Sequence, residues 1–215
     1  KNTVRMSYYR NNIQHLYVVP ALVAALVVQQ DGVSKKGLEA RVELIYPYLR
    51  NELYLVADAK QASESVADWL SFFTEKGLLN KKGHKWYAPE KSLARRLELE
   101  LLVNIMLPAL ERYYIGLSTL VRIGSNKCSA EELEHQSQLM AQRLSLLNGL
   151  DAPEFFDKTL FRRFIEGLQS HGAIQINDEK LIEFDQSLID QVSEVDDVLP
   201  AEVVYNISQV AGLSV

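Results

Sequence analysis

The sequence predicts a mainly α protein made of two winged-helix-like helix-helix-hairpin units joined by long, proline-kinked helices. Three observations predict it. Apolar residues recur at three- and four-residue spacing over most of the chain. Two such stretches stop at a glycine, Gly77 and Gly172, and each glycine is followed by a pair of short β-like segments. Displacing the sequence by 95 residues sets Ser34 on Ser129, Leu38 on Leu133, Leu44 on Leu139, Leu49 on Leu144, Trp69 on Phe164, Leu70 on Ile165 and Phe73 on Leu168, with Leu78 beside Ala173 and Ile174. That offset is too long for a solenoid repeat and points to two copies of one helical unit.

The first copy opens with an apolar lead-in helix over about 7–29 that contains Pro20. A proline removes one backbone donor and opens the helical ladder, so a kink is expected there. After a polar break at Gly32, Leu38, Val42, Ile45, Leu49 and Leu53 mark an amphipathic helix, and Val66, Trp69, Leu70 and Phe73 mark the next. Beyond Gly77 a turn at Lys81-Lys82-Gly83 separates the two β-like segments. The second copy repeats the plan. Its lead-in helix covers about 91–123, contains Pro108 and ends at Gly124. Ser129 with Glu132 three residues on reads as a capping box before the stripe Leu133, Met140, Leu144 and Leu147. Asp151, Pro153 and Glu154 supply helix-start signals for the stripe Leu160, Phe161, Phe164, Ile165 and Leu168, and the second hairpin turns at Asn177-Asp178-Glu179. From about Gln186, Leu188, Ile189, Val192, Val195 and Leu199 permit a short helix before Pro200; residues 201–215 give no firm signal, leaving disorder and a docking segment equally open. The expected organisation is thus residues 1–95, 96–185 and a tail, 186–215.

With 47% hydrophobic and 24% charged residues, the 215-residue chain has an ordinary globular composition. Its net charge of -5 hides an asymmetry: residues 1–127 hold 18 basic against 12 acidic side chains, and residues 128–215 hold 5 against 16. A basic first half suits an anionic lipid surface or an acidic carrier protein better than uniform coating by nucleic acid. The longest strongly apolar run, residues 16–28, has 13 residues, short of the roughly 20 that a membrane-spanning helix needs. Cys128 is the single cysteine and has no partner for an internal disulfide, which fits a cytoplasmic location. No Gly-rich phosphate loop, paired cysteines, HExxH or GxSxG occurs, so neither a metal nor a nucleotide cofactor is indicated.

Two stretches, SYYRNNIQHLYVVPALVAAL at 7–26 and AQRLSLLNGLDAPEFFDKTLF at 141–161, closely resemble the region downstream of the catalytic domain in the bacterial, membrane-associated sn-glycerol-3-phosphate 1-O-acyltransferases, and the similarity runs from residue 4 to about 185. The family's chemistry rests on a His-x4-Asp motif with FPEG-like and GxxFIRR-like motifs. None occurs here: His15, His84, His135 and His171 are followed five residues later by Pro20, Pro89, Met140 and Ile176. The resemblance therefore implies a non-catalytic C-terminal portion, for which a first residue Lys1 is in keeping. It implies that the intact enzyme acylates the sn-1 hydroxyl of glycerol 3-phosphate from acyl-CoA or acyl-carrier protein, at the cytoplasmic face of the inner membrane. There the upstream histidine acts as general base.

Two clusters are candidate sites. Tyr8, Tyr9, Arg10, Asn11, Asn12 and His15 form the densest polar group, read as lying at a helix entrance. A guanidinium, amides and an imidazole on neighbouring turns suit a clamp on the upstream acyltransferase domain, with direct substrate contact or plain surface as the alternatives. Lys81, Lys82, Lys85, Lys91, Arg95 and Arg96 surround one acid, Glu90, with Trp86 and Tyr87 among them. Aromatic rings flanked by lysines suit contact with an anionic membrane surface or acyl carrier protein, against the plain reading of a solvated turn. DNA binding is the rival that a winged-helix shape invites, and the charges oppose it. The helix that would enter the groove carries Glu64, Asp68 and Glu75 against Lys76, and in the second copy Glu154, Asp157 and Glu166 balance Lys158, Arg162 and Arg163.

Overall fold

The computed structural model describes the backbone of residues 2–91, 93–148 and 157–212, and side-chain surroundings for 15–91, 93–146 and 157–212. It is mainly helical. In order come α1 (Asn2–Gln29), β1 (Val33–Ser34), α2 (Lys35–Leu53), α3 (Ala59–Glu64), α4 (Val66–Glu75), β2 (Asn80–Lys82), β3 (Lys85–Tyr87), α5 (Ala94–Ile123), α6 (Ala130–Asn148), α7 (Lys158–Ser170), β4 (Gln175–Ile176), β5 (Ile182–Glu183), α8 (Gln186–Asp196) and α9 (Ala201–Ala211). The chain divides into two compact units, residues 1–47 with 53–107 and residues 48–52 with 108–215.

In the first unit, residues 21–27 of α1 are all buried, so the greater part of the run too short to span a bilayer is a core segment apolar on every side, while Leu16 at its start is exposed. It packs on α4, which turns Val66, Leu70 and Phe73 inward. Ser34 caps α2, its Oγ accepting from the Gly37 amide at 3.1 Å. Between α2 and α4 lies α3, which the apolar pattern does not announce. A reciprocal capping box starts it: Asp58 accepts from the Gln61 amide, and the Gln61 side chain accepts from the Asp58 amide. The α4 helix stops at Gly77, whose φ of +69° is open to glycine at little cost, while the Leu78 amide donates back to the Phe73 carbonyl at 2.8 Å. The three short strands form one antiparallel sheet in the order β1-β3-β2, pairing Val33 with Trp86 and Lys81 with Trp86.

The second unit uses the same devices 95 residues later. Ser129 Oγ accepts from the Glu132 amide at 3.2 Å before α6, whose Leu133, Met140 and Leu144 are buried. The Asp157 carboxylate caps α7, which buries Phe161, Phe164, Ile165 and Leu168 and stops at Gly172 with φ +72°; the Ala173 amide donates to the Leu168 carbonyl at 2.9 Å. Ser129 bridges to Leu181, beside the β4-β5 hairpin. The hairpins differ. Two residues separate the Lys82–Lys85 pair, and five separate Ile176 from Ile182, so the second carries a longer turn built on Asn177, whose side chain accepts from the Glu179 and Leu181 amides.

Beyond the hairpin, α8 begins at an Asp185 cap, in line with the short helix expected before Pro200. Residues 201–211, whose sequence gives no firm signal, form α9. It packs on α6, buries Ile207, Ser208 and Ala211, and ends at Gly212. The Tyr8–Asn12 segment is not at a helix entrance, because α1 starts at Asn2 and the segment lies about two to three turns inside it. The start signals at Asp151, Pro153 and Glu154 fall outside the described residues.

Candidate functional site

The first hairpin gathers chemistry on an exposed support. In its register Lys81 lies opposite Trp86, and Lys82 opposite Lys85, so the two pairs occupy opposite faces of the ribbon. On one face the Lys81 ammonium sits 4.8 Å from the Trp86 ring centroid. The Trp86 indole N–H donates to Thr74 Oγ1 at 3.2 Å, and the Thr74 hydroxyl in turn donates to the Leu70 carbonyl at 2.6 Å, anchoring the hairpin to α4. On the other face Lys82 lies 5.4 Å from the Tyr87 centroid. Each ring holds a cation over its π face while the lysine head remains in solvent. Between the Trp86 face and α4 is an open cavity of about 400 Å³ lined by Lys35, Ala67, Leu70, Ser71, Thr74, Glu75, Lys81 and Trp86.

The fold divides the sequence-defined basic cluster. Lys81, Lys82 and Lys85 are exposed on the hairpin, and Lys91 is exposed beyond it. Arg95 is matched by Glu98, at 3.0 Å to both carboxylate oxygens. Arg96 does not join the exposed face. It is 9% exposed, pairs with Glu100 at 2.9 Å and donates to the Val28 carbonyl at 3.2 Å, tying α5 to α1. Lys35, distant in sequence, joins the cavity wall instead and pairs with Glu39 at 3.4 Å. Of the Tyr8, Tyr9, Arg10, Asn11, Asn12 and His15 group, only His15 has a described side chain, and it is exposed. The second hairpin has the opposite character, with Glu183 and Asp185 lining an open cavity of about 250 Å³.

Sequence reasoning missed a buried polar assembly in the second unit. The Tyr48 ring stacks on Tyr113 with centroids 5.1 Å apart, its hydroxyl donates to Gln191 Oε1 at 2.8 Å, and His171 meets its edge at 6.0 Å. Arg112, 5% exposed, pairs with Glu52. Its neighbour Glu111 is pushed up to about 7, because burial disfavours the carboxylate more than Arg112 favours it. Between α6 and α7, Glu134 takes both Arg162 Nε and Nη2 at 3.0 Å and Lys158 at 3.1 Å, and these cations hold its carboxyl below the usual range. Burial, with Glu132 nearby, lifts the Cys128 thiol to about 11 and leaves it a poor nucleophile. Among the described residues no His, Cys, Asp and Glu side chains are grouped to hold a metal, and no helix is long and apolar enough to cross a membrane.

Residues 1–177 match the family described as the glycerol-3-phosphate acyltransferase C-terminal region. Curated relatives extend the match to nearly the whole chain. The glycerol-3-phosphate acyltransferase of Ectopseudomonas mendocina (strain ymp) is 39% identical over 213 residues, covering 98% of this chain and 26% of the relative. That of Pseudomonas putida (strain GB-1) is 39% identical over 211 residues with the same coverage, and that of Pseudomonas fluorescens (strain SBW25) 37% over 213 residues, covering 98% and 25%. The chain therefore spans about a quarter of the length of these relatives. No solved structure matches it.

Proposed function

The chain belongs to the glycerol-3-phosphate acyltransferase family, as its C-terminal region, and from that premise we propose that it is the non-catalytic supporting body of an enzyme that transfers an acyl group from acyl-CoA or acyl-carrier protein to the sn-1 hydroxyl of glycerol 3-phosphate. The observation that carries this reading is the match itself: 98% of the chain aligns with enzymes of that name, yet accounts for only 26% of their length. The four histidines of this chain lack the partnering aspartate of the family's His-x4-Asp motif.

The supporting body is two winged-helix-like modules, residues 1–95 and 96–185, followed by the tail 186–215. A strand or bridge, a capped helix, a second helix ended by a glycine and a hairpin recur in both, which supports this description. Tyr8, Tyr9, Arg10, Asn11, Asn12 and His15 clamp the upstream acyltransferase domain. The exposed lysines Lys81, Lys82 and Lys85, with Trp86, meet the anionic surface at the cytoplasmic face of the bacterial inner membrane, where the protein is peripheral. The DNA-binding alternative lacks a basic groove-entering helix: α4 carries Asp68 and Glu75 and has Lys76 only at its C-cap.

The test compares the complete acyltransferase, the same polypeptide lacking residues 1–215, and this chain alone. The complete enzyme forms 1-acylglycerol 3-phosphate, removal of the region lowers activity and thermal stability together, and the region alone forms no product. Thioester-dependent ester formation by this chain on its own, free of host enzyme, overturns the reading.

A further inference from the structure

The start of α5 exposes apolar side chains on a face that water would not select. Leu93, immediately before the helix, and Leu97 and Leu101 within it recur at four-residue spacing, with relative exposures of 50, 60 and 57%. The opposite side is already used: Leu99 and Met106 are fully buried, Val103 is 4% exposed and Arg96 is tied to the Val28 carbonyl. A helix covered by its own unit on one side ordinarily presents polar residues on the other. Three neighbouring leucines, each half or more exposed, instead form the kind of continuous apolar patch that marks an interaction surface.

The charges beside the stripe indicate what covers it. Helices that lie on anionic lipid keep free cations along the border of their apolar face. Here Arg95 is matched by Glu98 and Arg96 by Glu100, so the helix is locally neutral where the leucines emerge. An apolar centre with satisfied polar pairs at its edge is the composition of a protein–protein contact. In the relatives, moreover, this region is 25 to 26% of the polypeptide, so a much larger body of protein belongs beside it.

We propose that Leu93, Leu97 and Leu101 form the docking face on which the remaining, catalytic part of the same acyltransferase polypeptide packs. This rests on reading the region as a supporting body and names a second surface, beside the Tyr8–His15 clamp, through which the support acts. It is separate from the hairpin lysines, which stay free for the membrane.

The test uses the complete enzyme in detergent micelles, with single variants Leu97→Cys and Leu101→Cys. Val56→Cys and Leu146→Cys serve as references, at positions 94 and 84% exposed. Any cysteines outside residues 1–215 are first replaced, and the native Cys128, 1% exposed, then contributes only slow background. Alkylation by a polar maleimide is expected to be at least fivefold slower at 97 and 101 than at both references, with all four equal after unfolding. A smaller difference overturns the proposal. A maleimide–benzophenone placed at 97 identifies the occupant. Adducts to polypeptide outside residues 1–215 support the proposal, whereas adducts to a second copy, to detergent or lipid, or within residues 1–215 overturn it. If the leucines prove open while removal of the region still lowers activity and stability, the docking face is wrong and the supporting role stands. If removal changes neither, the supporting role itself fails.

Discussion

The Phe164 ring occupies the space that a side chain at residue 116 would need. A Cβ on Gly116 would lie 2.3 Å from Cε1 of that ring, and Phe164 is 5% exposed and set edge-on against Tyr113 with centroids 5.2 Å apart. The ring has little room to retreat, so Gly116→Ala is expected to destabilise by about 1–3 kcal/mol, the usual cost of overpacking. Phe164→Leu, which vacates part of the space, should recover a fraction when combined with it. Chemical denaturation of the single and double variants checks this, and simple additivity would show that the two residues do not compete for one volume.

Ser34 and Ser129 should be worth similar amounts. Each hydroxyl accepts from the amide three residues on, at 3.1 and 3.2 Å. Replacing either by alanine removes an N-cap and is expected to cost about 1 kcal/mol. The loss should appear as a lower denaturation midpoint with an unchanged denaturant slope.

Two glutamates give opposite pH signatures. Glu111, raised to about 7 from an ordinary value near 4.5, binds its proton more tightly in the folded chain. Stability therefore falls as pH rises from about 4.5 to about 7 and stays reduced above that, by at most roughly 3–4 kcal/mol for a shift of that size. Glu111→Gln should raise the melting temperature at pH 8 and leave it nearly unchanged at pH 4.5. Glu134 is depressed by Arg162 and Lys158, so its contribution is complete above its unfolded value near 4.5 and is lost as pH falls through the folded value. Glu134→Gln should accordingly be destabilising at pH 7 and converge on the parent in acid. Parallel curves for parent and variants across pH 3–8 would remove these assignments.

How much of this was legible in sequence follows from the range of each interaction. Helix stripes, the Ser129 cap and the glycine stops are local, and they appear where periodicity and capping chemistry put them. The missed α3 is six residues long and carries no apolar stripe, but its Asp58 and Gln61 spacing was a readable start signal. Likewise Glu202 in the first turn and the terminator Gly212 bracket α9, whose short buried face is weak evidence until α6 supplies its partner. Arg95 and Arg96 are adjacent in sequence and fall there into one basic cluster. Consecutive helical residues point about 100° apart, so one can face solvent while the other lies in the interior. The Tyr48–Tyr113 stack joins residues 65 positions apart, and no local pattern encodes such a meeting.

The hairpin yields the prediction that bears most directly on function. Lys81, Lys82 and Lys85 lie on one short ribbon fixed to α4 by the Trp86–Thr74 hydrogen bond, Lys81 on one face and Lys82 and Lys85 on the other. Each cation near an anionic bilayer adds about 1 kcal/mol, so Lys81→Gln, Lys82→Gln and Lys85→Gln together should weaken binding of the complete enzyme to anionic vesicles about a hundredfold. Raising the salt should weaken the parent towards the variant, because a Coulombic contact would be screened over about 8 Å at physiological ionic strength. Trp86→Phe separates presentation from charge: it keeps a ring beneath Lys81 and loses only the donor to Thr74, so a modest loss of affinity with an undiminished salt slope is expected. Flotation of the complete enzyme on neutral and anionic vesicles at low and high salt measures all of these. Equal retention on both vesicle types would leave the lysines as a solvated turn.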